Sequence, residues 1–300
     1  MRVEVSAAAR PKSNAVRRGR LAPCVSVSFF LTLVCLLAHT PARAAQRDLT
    51  PLQQEIKVLT ARLSSADVEE RREAVMRLGS LGRPEGSRAA AAVLGDAAAI
   101  VRATAARAVL SLPAGEAATL LLPLVRDRDE FVRREAAYAL GITRSTVGVS
   151  ALAAAVETDK QPSVRGAAAV ALGQLGDVSA VPALAGALSR RLQASGFFNR
   201  LRRRKVEEDE FVRRSAAASL GQIGSREAVP VLVEALSNAR TPDDVRREAA
   251  RALGLIGDSA AVPALRSVLT HRDPYLSRIA FDALRRLDPT TAARPSGGGP

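Results

Sequence analysis

One arrangement of apolar and polar positions recurs along this chain. It is fullest in Asp129-Glu130-Phe131-Val132-Arg133-Arg134 and returns unchanged as Asp209-Glu210-Phe211-Val212-Arg213-Arg214. With the Val as position zero, the equivalent residues are Glu70, Val101, Val132, Val164, Val212, Val245 and Leu276. Successive copies stand 31, 31, 32, 48, 33 and 31 residues apart, so a single interval departs from the period. Position 4 is Ala in every copy, at Ala74, Ala105, Ala136, Ala168, Ala216, Ala249 and Ala280. Position 8 is Leu78, Val109, Leu140, Leu172, Leu220, Leu253 or Leu284. Positions 0, 4 and 8, with mostly small residues at 7, share one helical face. The unvarying Ala predicts close approach between helices.

Helix ends are written into the same period. Asp67, Asp129, Asp209 and Asp273 stand three residues before position zero, where a short carboxylate caps free amides. Gly82, Gly176, Gly224 and Gly257 follow the apolar face, where a left-handed residue closes a helix. Pro182, Pro230 and Pro263 each sit in an Ala-Val-Pro phrase that opens another helix. Each period therefore predicts two antiparallel helices of roughly three turns. One pair cannot bury both faces, so successive pairs must stack into a continuous core. The expected fold is all-α, an α-solenoid of about seven two-helix repeats within residues 45–288. Pro123 falls mid-helix and predicts a kink or a shortened helix.

The ends and the long interval follow other patterns. A basic stretch from Arg2 to Arg20 precedes an apolar run from Cys24 to Ala38 and then Ala42-Arg43-Ala44. That order predicts a signal peptide over residues 1–44, cleaved after Ala44, and a periplasmic or secreted protein. An uncleaved leader would tether it to the membrane instead, and no membrane-spanning segment is expected after residue 44. Residues 289–300, ending in Gly297-Gly298-Gly299-Pro300, carry no apolar period and are expected to be a disordered tail. The 48-residue interval marks an insertion at about 190–206. In it Phe197, Phe198 and Leu201 fall at helical offsets beside Arg200, Arg202, Arg203, Arg204 and Lys205, which predicts a short basic amphipathic segment.

Charge changes the picture only locally. The formal charge of the chain is +14, and seven bases against one acid lie before Ala45. Residues 190–205 hold seven bases and no acid, so the remaining solenoid is close to neutral. Both cysteines, Cys24 and Cys35, lie in the leader, which leaves neither disulfide nor thiol chemistry afterwards. There is no Trp, and His271 is the one histidine beyond the leader. A lone turn histidine beside Arg272 and Asp273 reads as a solvated residue. No catalytic, metal-binding or cofactor-binding constellation is expected.

The phrases Val164–Asp177 with Ala180–Leu184, and Val245–Asp258 with Ala261–Leu265, resemble HEAT repeats of the short phycobilisome-lyase (PBS lyase) class. The resemblance implies an armadillo-like superhelix that binds protein along a concave face lined by the second helix of each pair. It also reaches two enzyme groups. Iron-dependent deoxyhypusine hydroxylases of this architecture need several His-Glu pairs, which a single histidine cannot supply. A bilin-lyase-like enzyme or enzyme subunit stays open as an alternative, although its pigments are not expected along a secretory route.

The expected function is thus an exported, non-catalytic scaffold or adaptor for a protein partner, working as a monomer. A second alternative is an envelope-associated binder of anionic polymer or lipid through the basic insertion. Nucleic acid is not the expected partner. The arginines at position 1, Arg71, Arg102, Arg133, Arg165, Arg213 and Arg246, read first as structural, bonding turn carbonyls or an Asp of the next repeat. Those at position 2, Arg72, Arg134, Arg214 and Arg247, are the candidates for partner contact. Glu130, Glu210 and Asp243, four residues ahead of the last three, are expected to pair with them. Phe197, Phe198, Arg202, Arg203, Arg204 and Lys205 complete the candidate set. The acids Glu207 to Glu210 could neutralise that insertion.

Overall fold

The computed structural model describes residues 49–193 and 205–287, without the side chains of 192, 193, 205 and 206. The predicted leader with its cleavage site, the tail, and Phe197, Phe198, Arg202, Arg203 and Arg204 lie outside the described residues.

Among the described residues seven helix pairs follow one another. They are α1 (Pro51–Arg62) with α2 (Val68–Ser80), α3 (Pro84–Ala91) with α4 (Ala99–Ala108), and α5 (Ala114–Leu121) with α6 (Glu130–Thr143). Then come α7 (Val149–Thr158) with α8 (Pro162–Leu175), and α9 (Val181–Ser189) with α10 (Glu210–Ile223). The last are α11 (Val229–Ser237) with α12 (Asp243–Ile256), and α13 (Val262–Ser267) with α14 (Pro274–Leu287). The predicted α-solenoid and its repeat number are what the chain forms.

The end signals act as their chemistry requires. Asp67, Asp129 and Asp209 each accept from an amide in the first turn of the helix that follows, at 2.9 Å. Asp273 caps α14 through the amides of Tyr275 and Leu276. Gly176, Gly224 and Gly257 close α8, α10 and α12 with φ of 69°, 74° and 77°, a region where a Cβ is strained. At α6 Arg144 takes that conformation without a glycine. Pro123 shortens its helix: α5 stops at Leu121, and Leu122–Arg126 continues as a 3-10 turn. Proline has no amide to donate and its ring crowds the preceding turn.

All seven position-4 alanines are fully buried, as are the large residues at position 8. The closest approach between repeats lies one turn further on. A Cβ at Gly221 would stand 2.7 Å from Ala252 Cα, and one at Gly254 would stand 2.7 Å from Ala283 Cβ. Gly79 against Ala108 and Gly141 against Ala171 repeat the contact. Glycine at position 9 thus meets a small residue at position 7 of the next repeat. Between first helices the fit is looser: Gly115 in α5 and Gly186 in α9 have no atom within 4 Å of an added Cβ, and the close neighbour of Gly86 in α3 is the Leu78 carbonyl of a second helix. The second helices therefore crowd onto the shorter radius, and the array curves toward them. Their outward side is the inner face.

The insertion departs from the all-helical pattern. Its described ends form two antiparallel strands, β1 (Arg191–Gln193) and β2 (Lys205–Glu207), with Arg191 opposite Glu207 and Gln193 opposite Lys205. Lys205, expected in a helical segment, is instead a strand residue. The chain leaves α9 and must return to enter α10, so its two arms meet and pair their backbones.

Candidate interaction surface

The position-1 arginines build a ladder along one edge of the solenoid. Arg71 donates from Nε and Nη2 to Asp96 at 2.8 and 2.9 Å, and from Nη1 to the Ser65 carbonyl at 2.9 Å. Arg102 does the same with Asp127 and the Asp96 carbonyl, and Arg133 with Asp159 and the Asp127 carbonyl. Arg165 reaches Glu208, 43 residues on, at 2.5 and 3.1 Å, because the insertion moves its acid to the far side of the strands. Each fork ties its own loop to the next repeat. This bears out the structural reading of the column.

The last two rungs differ. Arg213 donates from Nε to the Leu188 carbonyl at 3.0 Å and meets Thr241 Oγ1 at 3.3 Å. Arg246 donates from Nε to the Leu236 carbonyl, and its Nη1 lies 2.8 Å from His271 Nε2. His271 is therefore not the solvated turn residue its sequence context suggested. It is half-buried, it fills a rung, and its Nδ1 accepts from the Asp273 amide at 3.1 Å.

The ladder acids respond to their partners. Asp96 is held below the ordinary carboxylate range, chiefly by the hydrogen bond from Arg71. At Asp127 burial pushes the carboxyl up, but the Arg102 fork and the Asp129 amide outweigh it and the net shift is downward. A carboxyl depressed by folding contributes stability that is complete above its unfolded value of about 3.9. That contribution is lost as pH falls through the folded value. Thermal melts are expected to hold from neutral pH to about 5 and to fall below ~4. An Asp96→Asn, Asp127→Asn double variant should show a flatter acid limb, and an unchanged limb would mean that these rungs do not set it.

The position-2 arginines lie on the inner face and are self-paired, with partners other than the expected acids. Arg72 meets Glu69 at 2.5 Å, and Arg134 meets Glu135 at 3.3 Å. Arg214 reaches Asp244 of the next repeat at 4.0 Å. Arg247 bonds Asp244 at 2.5 Å and Asp273 at 2.7 Å. For Arg214 and Arg247 an acid one repeat on comes nearer than the one four residues back, because neighbouring helices almost touch here. Arg134 also lies 5.0 Å over the Phe131 ring, and Arg247 lies 5.2 Å over Tyr275. The exposed pairs among these, Arg72–Glu69 and Arg214–Asp244, contribute little to stability.

The sequence reading missed the residue just before position zero. There stand Ile100, Phe131, Phe211 and Tyr275, off the buried stripe and on the inner face. Phe211 occupies the space a side chain at Gly166 would take. Between α2, α4 and α6 lies a groove of about 680 Å³, lined by Met76, Ile100, Ala103 and Phe131 with Arg72, Arg107 and Glu135 around them. Met76 is 52% exposed. The signal was available: an apolar residue recurring just outside the buried stripe, at a register position that is partly exposed at Ile100 and Phe131 and exposed at Phe211 and Tyr275. Of the insertion candidates only the backbone of Lys205 is described. Two of the acids thought to neutralise the insertion serve the ladder as well: Glu208 bonds Arg165 and Arg190, and Glu207 lies between Arg191 and Arg213.

Among the described residues, no group of three or more His, Cys, Asp or Glu is placed to hold a metal ion. No described helix is long and apolar enough to cross a membrane.

A family model described as HEAT repeats matches residues 56–141, 88–161, 118–194 and 236–295. A second, described as PBS lyase HEAT-like repeat, matches residues 212–238. No curated protein matches the chain significantly. Among solved structures it is similar to Escherichia coli YibA, at 18% identity and TM-score 0.55 over 89% of this chain and 99% of that one. An engineered protein shares 23% identity, with TM-score 0.51 over 77% of this chain and 68% of that one. The complex of CpcE and CpcF of phycocyanin lyase from Nostoc sp. shares 23% identity, with TM-score 0.46 over 84% and 98%. At such identities the likeness is one of fold.

Proposed function

This chain belongs to the HEAT-repeat family, and from that premise we propose that it is a non-catalytic scaffold holding a protein partner on its inner face. The groove between α2, α4 and α6 carries the reading. Its floor joins Met76, Ile100, Ala103 and Phe131, and its rim is charged. An apolar centre with a polar rim and arginine or aromatic anchors is the composition of protein interfaces. Arg134 is held by Phe131 and Glu135 before any partner arrives, so little side-chain freedom is lost on binding. The first 44 residues direct export and are removed after Ala44, which places the scaffold in the periplasm or outside the cell.

Affinity capture from an envelope fraction, followed by titration of the captured partner, tests the first point. Phe131→Ala is expected to weaken that partner about tenfold or more, as loss of a central aromatic anchor does. Because the ring is partly buried against the core, the variant's melting temperature is expected to fall as well, so binding is compared at a temperature where both proteins are fully folded. Equal capture by wild type and Phe131→Ala would remove the groove from the account. An amino terminus at Ala45 in envelope-fraction protein is the expected sign of export, and retention of residues 1–44 there would contradict cleavage.

A further inference from the structure

We propose that the fifth rung of the arginine ladder is a binding site for a carboxylate supplied from outside the chain. The rung is separate from the inner-face groove and differs from its neighbours in what faces the arginine.

In the first four rungs a carboxylate from the following loop takes two N–H groups of the arginine: Asp96, Asp127, Asp159 and Glu208. In the fifth the following loop supplies Thr241, a neutral side chain with one oxygen, 3.3 Å from Arg213 Nη2. Arg213 is nonetheless as deeply placed as its counterparts, at 5% exposure against 4% for Arg165. A buried guanidinium beside a hydroxyl is compensated far less than one beside an acid. Its nearest carboxylate is Glu207, 3.6 Å from Nη1, half-exposed on the insertion strand and shared with Arg191.

Space for a ligand exists at this rung. A cleft of about 260 Å³ is lined by Arg213, Thr241, Glu207, Arg191 and Arg240, with Glu234 and Asn238 also on its wall. Nε of Arg213 is committed to the Leu188 carbonyl, which leaves the Nη1 and Nη2 edge to the residues lining the cleft. A planar group with two oxygens matches that edge, as it does in the other rungs. The sixth rung does not offer the same opening, because His271 and Asp243 occupy it. The ligand is the side chain of an Asp or Glu, or the terminal carboxylate, of a partner chain. Glu207 acts as a weak internal stand-in that the ligand displaces.

The test titrates the full chain at constant ionic strength, following the Thr241 and Glu207 amides by NMR. The probes are a capped pentapeptide with one Glu, the same peptide with Gln, an uncharged peptide with a free carboxyl terminus, and inorganic phosphate. Saturable binding of a carboxylate peptide, and none of the Gln peptide, is expected. The tighter of the two carboxylate peptides identifies the source. Glu207→Gln should tighten binding severalfold by removing the competitor. Thr241→Asp refills the rung from within and should weaken binding about tenfold or more without lowering the melting temperature. Undiminished binding by Thr241→Asp overturns the proposal, as does failure of both wild type and Glu207→Gln to bind either carboxylate peptide in preference to the Gln peptide. Preference for phosphate over either carboxylate overturns it too.

Discussion

Glu208→Ala is expected to destabilise the fold by about 3–5 kcal/mol, the cost of leaving a buried charge without its partner. Both oxygens of Glu208 are committed: one lies 2.5 Å from Arg165 Nη2, the other 3.1 Å from Arg165 Nε and 3.4 Å from Arg190 Nη1. The Asp209 amide donates to the same carboxylate at 2.8 Å. Glu208 is 3% exposed and Arg165 is 4% exposed, so water cannot replace the lost acceptor. Glu208 also joins α8 to the segment that enters α10, across the whole insertion. Urea unfolding should show a lower midpoint at unchanged slope. Asp282→Ala, which removes the partner of the exposed Arg278, is the control and should shift stability by less than about 1 kcal/mol. A Glu208 effect no larger than that control would mean that the rung is not desolvated.

Gly221→Ala is expected to cost about 1–3 kcal/mol, although helix propensity alone predicts a gain of about 1 kcal/mol. The added methyl would lie 2.7 Å from Ala252 Cα and 2.8 Å from its Cβ. The first of these is backbone, which cannot turn aside, so α10 and α12 must separate. Every rung and inner-face pair that spans the two helices would stretch with them. Gly186→Ala makes the opposite test, because its methyl meets nothing within 4 Å. It should stabilise by about 0.5–1 kcal/mol through reduced freedom of the unfolded chain and better propensity. Two glycine substitutions in neighbouring helices are thus expected to differ in sign. If both stabilise, the second helices are not in backbone contact and the curvature argument fails.

The candidate surface was half legible beforehand. The position-2 arginines stand where the helical register puts them, yet none takes an acid four residues back: Arg72 and Arg134 use nearer acids of their own helix, and Arg214 and Arg247 reach the next repeat. Arg214 to Asp244 and Arg247 to Asp273 span 30 and 26 residues. The groove-forming Ile100 and Phe131 were visible as letters but not as a surface, because nothing local distinguishes an exposed apolar residue from a loosely packed core one. His271 was misjudged for the same reason: its neighbours in sequence are polar, while its neighbour in space is Arg246.

What the sequence determined by itself was everything decided within about two helical turns. The stripe at positions 0, 4 and 8, the capping Asp, the closing Gly and the opening Pro each act through backbone geometry or contacts a few residues away. They sufficed for seven helix pairs and for the shortened helix at Pro123. Tertiary structure alone decided which group completes each arginine, that Glu208 belongs to the ladder, that Thr241 and His271 stand where the other rungs have an acid, and that Gly221 lies against Ala252. Those contacts depend on how one repeat is rotated against the next. That rotation is set by close packing of buried side chains over the whole interface, so no short stretch of sequence contains it.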